Sequence, residues 1–135
     1  KEGARPVKAR VVRRAPLALA YGCADEERLR EVFAAMGAQV RVLKGEDWGT
    51  RLGVLAGEAG PAGEAEAAAP QQSVLVFAYF TDALLDKALA ALRTAQLAFD
   101  YKAALTPTNR TWTLQMLLEE LKRERAHIEA QRSRP

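Results

Sequence analysis

Apolar residues form two similar patterns along the chain, and each pattern predicts a strand, a helix and a second strand. In the first, the continuous apolar run 17–21 is typical of a strand that is buried on both faces. A helical face follows, because apolar side chains recur at i, i+3, i+4 and i+7: Leu29, Val32, Phe33 and Met36. Polar–apolar alternation at the start of 39–43 then predicts a half-exposed strand.

The second pattern predicts the same order of elements. Segment 73–80 is rich in β-branched and aromatic residues, which favour a strand. Thr81 is a good helix cap, and segment 97–105 predicts the closing strand. The buried face of the helix between them would consist of Leu85, Ala88, Leu89 and Leu92. Residues 17–43 and 74–100 align without a gap and share Asp25 with Asp82, Ala34 with Ala91, Ala38 with Ala95 and Gln39 with Gln96. We therefore expect an internal repeat.

Two βαβ repeats predict one four-stranded sheet with helices packed against it. We expect a ferredoxin-like α/β fold, an α+β sandwich in which the continuous apolar strands lie in the middle of the sheet and the alternating strands nearer its edges. The alternative is an open, mostly parallel α/β sheet. Both arrangements need right-handed crossovers.

Two segments connect the repeats. Residues 47–56 predict a short helix, weakened by glycine, in which Trp48, Leu52 and Leu55 cover one face of the sheet. Residues 57–72 hold three Gly, two Pro and no large apolar side chain. They therefore predict a flexible linker that carries no chemistry.

A long amphipathic helix ends the chain. Its apolar stripe is formed by Leu114, Leu117, Leu118, Leu121 and Ile128. Asn109 is the expected N-cap, with Thr108 and Thr111 as alternatives. The helix would run ~20 residues, or ~30 Å, which is more than a small sheet needs for cover. The excess length could support a partner helix or a homodimer.

Length and charge indicate one soluble domain with a basic tail. The 135 residues suit a single domain. Residues 1–14 contain six Lys or Arg and one Glu; the whole chain is +3 and this segment is +5, so the remainder is −2. We predict a tail at 1–14 and a single α/β domain at 15–135. The domain comprises repeat one (15–56), the linker (57–72) and repeat two with the C-terminal helix (73–135).

The basic tail has two interpretations. It could be an arm that binds RNA, DNA or anionic lipid, or it could be a solvated leader. We favour the leader, because no aromatic residue is interleaved among the basic ones for base stacking.

Composition also excludes several classes of protein and site. No apolar run approaches the ~20 residues that cross a bilayer, and no apolar segment follows the basic residues as in a secretory signal. We therefore expect a cytoplasmic protein with no membrane partner. One Cys and one His exclude an internal disulfide and a Cys/His zinc site within one chain. No Gly-rich phosphate loop is present, and we expect neither a metal nor a cofactor.

The loop that precedes the last helix is the candidate binding site. It offers a cation, hydroxyl groups, an amide and an aromatic wall, from Lys102, Thr106, Thr108, Asn109 and Trp112. A helix start also presents backbone N–H groups that attract anions, so the loop could bind a phosphate or carboxylate. The alternative is that Thr-Pro-Thr-Asn serves only as a turn and helix cap.

The remaining chemistry-bearing residues do not form a catalytic set. Cys23 precedes the first helix, where a helix N-terminus can lower a thiol pKa. The single histidine, His127, lies far along the last helix and cannot serve Cys23 as a base. We expect Cys23 to be a packing residue, Lys102 to reach solvent and His127 to be exposed.

The second half of the chain resembles a bacterial family known as domain of unknown function 3783. The residues that carry the resemblance are 75–77 in the strand, 102–109, Trp112-Thr-Leu114, and Leu118-Glu-Glu-Leu121 with Glu124. The first half resembles the N-terminal half of such proteins at Tyr21-Gly22 and 52–57. The chain departs from the pattern at Cys23, where a bulky apolar residue is expected, and at Tyr79, where glycine is expected. The family name implies a domain extent and no activity.

These observations leave three functional hypotheses. We favour a non-enzymatic module that binds a protein partner or a small anionic ligand and can form dimers. The first alternative is a nucleic-acid accessory protein that uses the basic arm. The second is an enzyme with its site in the loop 102–112.

Overall fold

The computed structural model describes residues 14–64 and 69–133. These residues form one sheet with helices on both of its faces. The strands are β1 (Leu17–Tyr21), β2 (Gln39–Leu43), β3 (Val74–Ala78) and β4 (Tyr101–Ala104). The α-helices are α1 (Glu26–Ala34), α2 (Leu52–Leu55), α3 (Asp82–Ala95) and α4 (Leu114–Arg132), and 3-10 turns lie at Gly45–Asp47 and Asn109–Thr111. The predicted basic tail, apart from Arg14, lies outside the described residues.

The four strands are arranged in the order β2-β1-β3-β4. β1 pairs in parallel with β2, and β3 pairs in parallel with β4. The two central strands are antiparallel, with Leu17 opposite Ala78 and Tyr21 opposite Val74. This mixed sheet confirms the predicted α+β sandwich with the two apolar strands in the middle. Within each βαβ unit the two strands are immediate neighbours, and the units join across the antiparallel pair.

The burial of each strand agrees with the apolar pattern from which the strand was predicted. Every residue of β3 is buried, as are the three middle residues of β1. Edge strands β2 and β4 alternate between partly buried and exposed positions. Because a central strand has a layer on each face, both sets of alternate side chains are removed from water, which stabilises by about 1.5–3 kcal/mol for each large apolar side chain.

Each face of the sheet has its own hydrophobic cluster. α1 and α3 cover one face through Ala18, Ala20, Leu29, Phe33, Leu75, Phe77, Ala88 and Leu92. α2 and α4 cover the other through Leu19, Trp48, Leu52, Leu55, Val74, Val76, Leu114, Leu117 and Leu118. The predicted cover by Trp48, Leu52 and Leu55 is therefore present, although the α-helix there is only Leu52–Leu55. Arg51 forms a bridge with Thr113, which holds it in extended geometry and prevents an earlier helix start.

The helices of the two units begin as predicted. The Asp25 carboxylate accepts from the backbone N–H of Arg28 at 3.1 Å, and the Thr81 hydroxyl accepts from Leu84 at 3.1 Å. These caps satisfy donors that a helix start leaves without intrahelical partners. The second strand of the second unit is shorter than the predicted 97–105, because Gln96 ends α3 in the left-handed region and β4 begins only at Tyr101.

The C-terminal helix is long, as predicted, but its cap differs. Thr113 is the N-cap, and its hydroxyl accepts from Met116 N–H at 3.1 Å. The predicted cap at Asn109 is wrong, and so are its alternatives Thr108 and Thr111, because a 3-10 turn at 109–111 ends in extended backbone at Trp112. Only the first part of α4 packs on the sheet, and residues 122–133 are exposed.

Candidate functional site

A cleft of about 570 Å³ lies at the carboxyl ends of β3 and β4. In parallel strand pairs this edge is where crossover loops leave room for a ligand. The walls combine apolar and aromatic side chains with a few polar groups: Glu58, Phe77, Tyr79, Phe80, Asp82, Leu85, Ala104, Leu105, Thr106, Pro107 and Arg110. That composition is typical of a small-molecule site, in which apolar surface supplies affinity and a few polar groups orient the ligand.

Tyr79 is placed in the cleft by an unusual backbone conformation. It follows β3 directly and has a φ of 64°, a region that L-residues other than Asn and Asp seldom occupy. Its hydroxyl donates to the Ala56 carbonyl at 3.4 Å, and the Arg14 guanidinium lies 5.4 Å from its ring centroid. The left-handed residue costs about 1–2 kcal/mol, so packing around the ring must offset this strain.

The aromatic wall of the cleft is continuous with the core beneath α1 and α3. The Phe77 and Phe80 rings pack edge to face with centroids 5.2 Å apart, and Phe33 lies 6.1 Å from Phe80. Edge-to-face pairs of this kind hold the rings in fixed orientations. The wall is therefore a rigid surface before any ligand arrives.

An ion pair closes one end of the cleft. Arg110 Nε donates to Glu58 Oε2 at 3.3 Å, with the two side chains 48% and 31% exposed. The Glu58 carboxylate lies against Gly53, where an added Cβ would stand 2.5 Å from Glu58 Oε1. Glycine at position 53 therefore leaves the space that the carboxylate occupies.

A second cleft, of about 630 Å³, lies on the other side of that ion pair. Glu58 and Arg110 line both clefts, and residues Ala59–Gly63 and Thr113 line only the second. Part of the predicted linker thus packs against the domain: Glu58 N–H donates to Gly53 O at 2.9 Å, and Gly63 N–H donates to the buried Thr50 hydroxyl at 3.0 Å. The sequence did not point to this segment as part of a site.

Thr106 is the predicted site residue that the structure places in the first cleft. Asn109 lies beneath it, buried, with its side chain used inside the loop. Asn109 Oδ1 accepts from Thr106 N–H at 2.8 Å, Nδ2 donates to Ala104 O at 3.0 Å, and the Thr106 hydroxyl accepts from Asn109 N–H at 3.0 Å. This reciprocal set uses the Asn109 side chain within the loop and fixes the shape of the loop.

The other predicted site residues lie apart from Thr106. Lys102 is exposed on β4 and lines two shallower grooves, one against α4 and one against the end of α3. Thr108 is exposed on the outside of the loop. Trp112 is half-buried and packs against the cluster beneath α2 and α4. The structure therefore does not bring the five residues Lys102, Thr106, Thr108, Asn109 and Trp112 together.

Cys23 packs rather than reacts. It contacts the cluster beneath α1 and α3, and burial raises the pKa of its thiol above the ordinary value. A backbone hydrogen bond near Asp25 lowers that pKa by less, and the carboxylates of Glu26 and Asp25 raise it further. His127 is exposed on α4, where its Nε2 lies 3.1 Å from Gln131 Nε2. These placements match the expected packing role of the thiol and the exposed imidazole.

Residues 14–64 and 69–133 contain no cluster of three or more His, Cys, Asp or Glu side chains that could hold a metal ion. None of the helices in these ranges is long and apolar enough to cross a membrane.

Comparison with known families gives one match. Residues 73–128 match the sequence model of a family described as "Domain of unknown function (DUF3783)". This match lies in the latter half of the chain. The match covers β3, α3, β4 and most of α4, which includes every cleft residue except Glu58. The resemblance of the first half to the same proteins stays a prediction. Comparison with curated proteins and with solved structures found no match to this chain.

Sequence reasoning missed most of the residues that line the cleft. Tyr79 and Phe80 were predicted to belong to the strand 73–80. Nothing in the neighbouring sequence indicates that an aromatic residue will adopt a positive φ. Arg110 and Glu58 lie far apart in the chain and have no shared pattern. The departure from glycine at Tyr79, noted from the family resemblance, was the one sequence signal that pointed to this turn.

Proposed function

We propose that this protein is a small-ligand-binding module whose site is the cleft at the carboxyl ends of β3 and β4. The observation that carries the proposal is the composition of its wall, where Tyr79, Phe80 and Leu85 face Thr106 and Arg110. Apolar surface of this extent gives affinity, and the convergent polar groups give orientation. A module of this kind needs no catalytic residues.

Two further observations support a binding site over an unfilled surface depression. The left-handed Tyr79 persists at a cost in backbone energy, and strained residues of this kind cluster at ligand sites. Asn109 fixes the loop on the opposite side of the cleft through hydrogen bonds at 2.8–3.0 Å. Both walls are therefore preorganised, which reduces the entropy lost when a ligand binds.

The dye 1-anilinonaphthalene-8-sulfonate tests this proposal, because it combines an apolar body with an anion. Ala104 lines the cleft, whereas Ala90 is exposed on α3 outside it. We expect the wild type and Ala90→Trp to bind the dye with equal affinity and Ala104→Trp to bind at least about tenfold more weakly, since the indole would occupy the cleft. Equal affinity in all three proteins would contradict the proposal.

A second candidate function is self-association along α4. Arg125 stacks over the ring of Tyr101 on edge strand β4, with its Cζ 4.0 Å from the ring centroid. Beyond this contact the helix continues past the edge of the sheet, with Ile128 50% exposed. The groove between β4 and α4 carries charges of both signs, from Lys102, Arg125, Arg132, Glu124 and Glu129, so two identical copies of this surface can be complementary across a two-fold axis.

Light scattering after size-exclusion chromatography tests this second candidate. We expect a dimer in the wild type and a monomer for Ile128→Glu, with Lys87→Glu on the exposed face of α3 as the control that stays dimeric. A wild type that elutes as a monomer at all concentrations would contradict it.

A further inference from the structure

The Glu58–Arg110 ion pair stands where two clefts meet. Both side chains line the cleft of about 570 Å³ and also the cleft of about 630 Å³ behind it. Both side chains line both clefts, so separating them would alter the walls of both spaces. A ligand that binds Arg110 in place of Glu58 would bring about that separation.

The pair is weak enough to be exchanged. It has one contact within hydrogen-bond distance, Arg110 Nε to Glu58 Oε2 at 3.3 Å, and both partners are partly exposed. Ion pairs of this kind contribute about 0.2–1 kcal/mol, which corresponds to about a 1.4- to fivefold effect on a competing equilibrium.

Arg110 is the fixed partner. Its backbone N–H donates to Thr106 O at 3.0 Å within the loop that Asn109 holds. The guanidinium carries five N–H donors in a planar fork, and within the described residues only Nε has a hydrogen-bond acceptor. Two of the five donors can pair with both oxygens of a ligand carboxylate that replaces Glu58, a geometry that favours carboxylates over neutral groups.

The position of the anion within the cleft follows from the other charges. Asp82, in the first turn of α3, also lines the cleft and repels an anion at that end. Arg110 is the cation among the described lining residues. A ligand carboxylate would therefore lie at Arg110, with the apolar body of the ligand against Phe80 and Leu85.

We infer that the ligand of this cleft is a small carboxylate with an apolar body, which takes Arg110 from Glu58 and opens the boundary between the two clefts. This inference rests on the proposed binding function and adds the ligand class. Glu58 occupies the ligand's place in the free protein, so its own carboxylate is a competitor for the site.

The probes are 3-phenylpropanoate and its neutral amide, 3-phenylpropanamide, titrated by NMR into the full chain. We expect the wild type to prefer the carboxylate. Glu58→Gln should bind the carboxylate about 1.4- to fivefold more tightly and leave the amide unchanged, because the competing anion is gone. Arg110→Gln should lose about tenfold for the carboxylate alone, through loss of a charge-assisted hydrogen bond. The controls are Glu31→Gln and Arg28→Gln on the exposed surface of α1.

Gly53→Ala provides a second way to displace Glu58 without removing its charge, since the new Cβ would occupy the space of the carboxylate. We expect it to change carboxylate affinity in the same direction as Glu58→Gln. Equal binding of the two probes by the wild type, or a Glu58→Gln variant with no gain for the carboxylate, would overturn the inference and leave the binding function standing. If neither probe shifts the amide signals of cleft residues in any variant, both fail.

Discussion

Gly22 and Tyr79 occupy the same position in the two βαβ units, directly after β1 and β3, and have φ angles of 76° and 64°. At Gly22 the chain passes so close that an added Cβ would lie 3.1 Å from Ser73 Cα. At Tyr79 the equivalent position carries a phenol side chain, which lines the cleft. The same turn is thus closed in one unit and part of a candidate site in the other.

Replacing Gly22 tests the closed turn. We expect Gly22→Ala to lower the free energy of unfolding by about 1–3 kcal/mol, because it combines left-handed strain with a close backbone contact. Gly45→Ala is the control, since its φ lies outside the left-handed region and its Cβ would make only an ordinary contact of 3.4 Å with Ala69. Urea unfolding measures both. Equal stabilities would contradict the account of this turn.

Replacing Tyr79 separates stability from binding. Tyr79→Gly relieves about 1–2 kcal/mol of backbone strain. It also removes a half-buried ring, whose burial stabilises the fold by a similar free energy. We therefore expect a change in unfolding free energy within about 1 kcal/mol, together with clearly weaker binding of 1-anilinonaphthalene-8-sulfonate. Tyr79→Phe retains the ring and should bind as the wild type does. Unchanged dye binding by Tyr79→Gly would show that the ring is not part of the site.

Replacing Asn109 should lower the stability of the fold, because its buried side chain holds the loop together. Asn109→Ala leaves Thr106 N–H and Ala104 O without their partners, and two lost hydrogen bonds in a buried setting cost about 2 kcal/mol. Thr108→Ala, on the exposed side of the same loop, should change stability by less than about 0.5 kcal/mol. Chemical denaturation compares the two. Equal effects would mean that the side-chain hydrogen bonds do not fix the loop.

The two parts of α4 should respond differently to truncation of apolar side chains. Leu118 is 1% exposed against the sheet, so Leu118→Ala should cost about 2–5 kcal/mol. Ile128 is 50% exposed beyond the sheet edge, so Ile128→Ala should cost less than about 0.5 kcal/mol in the isolated chain. Thermal unfolding at low protein concentration distinguishes them. A large loss at Ile128 there would mean that the distal helix packs within the same chain.

Cys23 predicts a pH dependence through its raised pKa. The thiol stays protonated in the folded protein to a higher pH than in the unfolded chain, so folding favours the protonated form. Its contribution to stability is complete below the unfolded pKa and declines as the pH rises through the folded pKa. We expect the rate at which iodoacetamide alkylates Cys23 to rise with pH, and the midpoint of that rise to lie at a higher pH than for a thiol in a short peptide. A midpoint at or below the peptide value would contradict this.

Much of the fold was predictable because the spacing of apolar residues along the chain indicates both the type of each element and the face that it buries. The apolar runs located β1 and β3 in the centre, and the caps at Asp25 and Thr81 followed from residue type and position. The cap at Thr113 was missed because the 3-10 turn that precedes it depends on hydrogen bonds from Asn109 to Thr106 and Ala104. The bridge between Thr113 and Arg51 is a further tertiary contact at this helix start, and residue types alone do not report it.

The candidate site was predictable only at Thr106. Its other groups, the Tyr79 ring and the Glu58–Arg110 pair, meet through long-range packing of a glycine-rich segment against α2. The composition of that segment predicted a linker, because small residues are typical of flexible segments. Here the small residues also permit close approach, as at Gly53, and sequence periodicity carries no information about such contacts.

The central proposal is that the cleft at the carboxyl ends of β3 and β4 binds a ligand. Amide chemical-shift mapping during titration with 3-phenylpropanoate tests this directly. We predict saturable shifts at residues 77–85 and 104–110 and at 58–63, which line the two clefts, in the wild type and not in Ala104→Trp. Shifts that are absent, that fail to saturate, or that lie along residues 122–133 of α4 would contradict it.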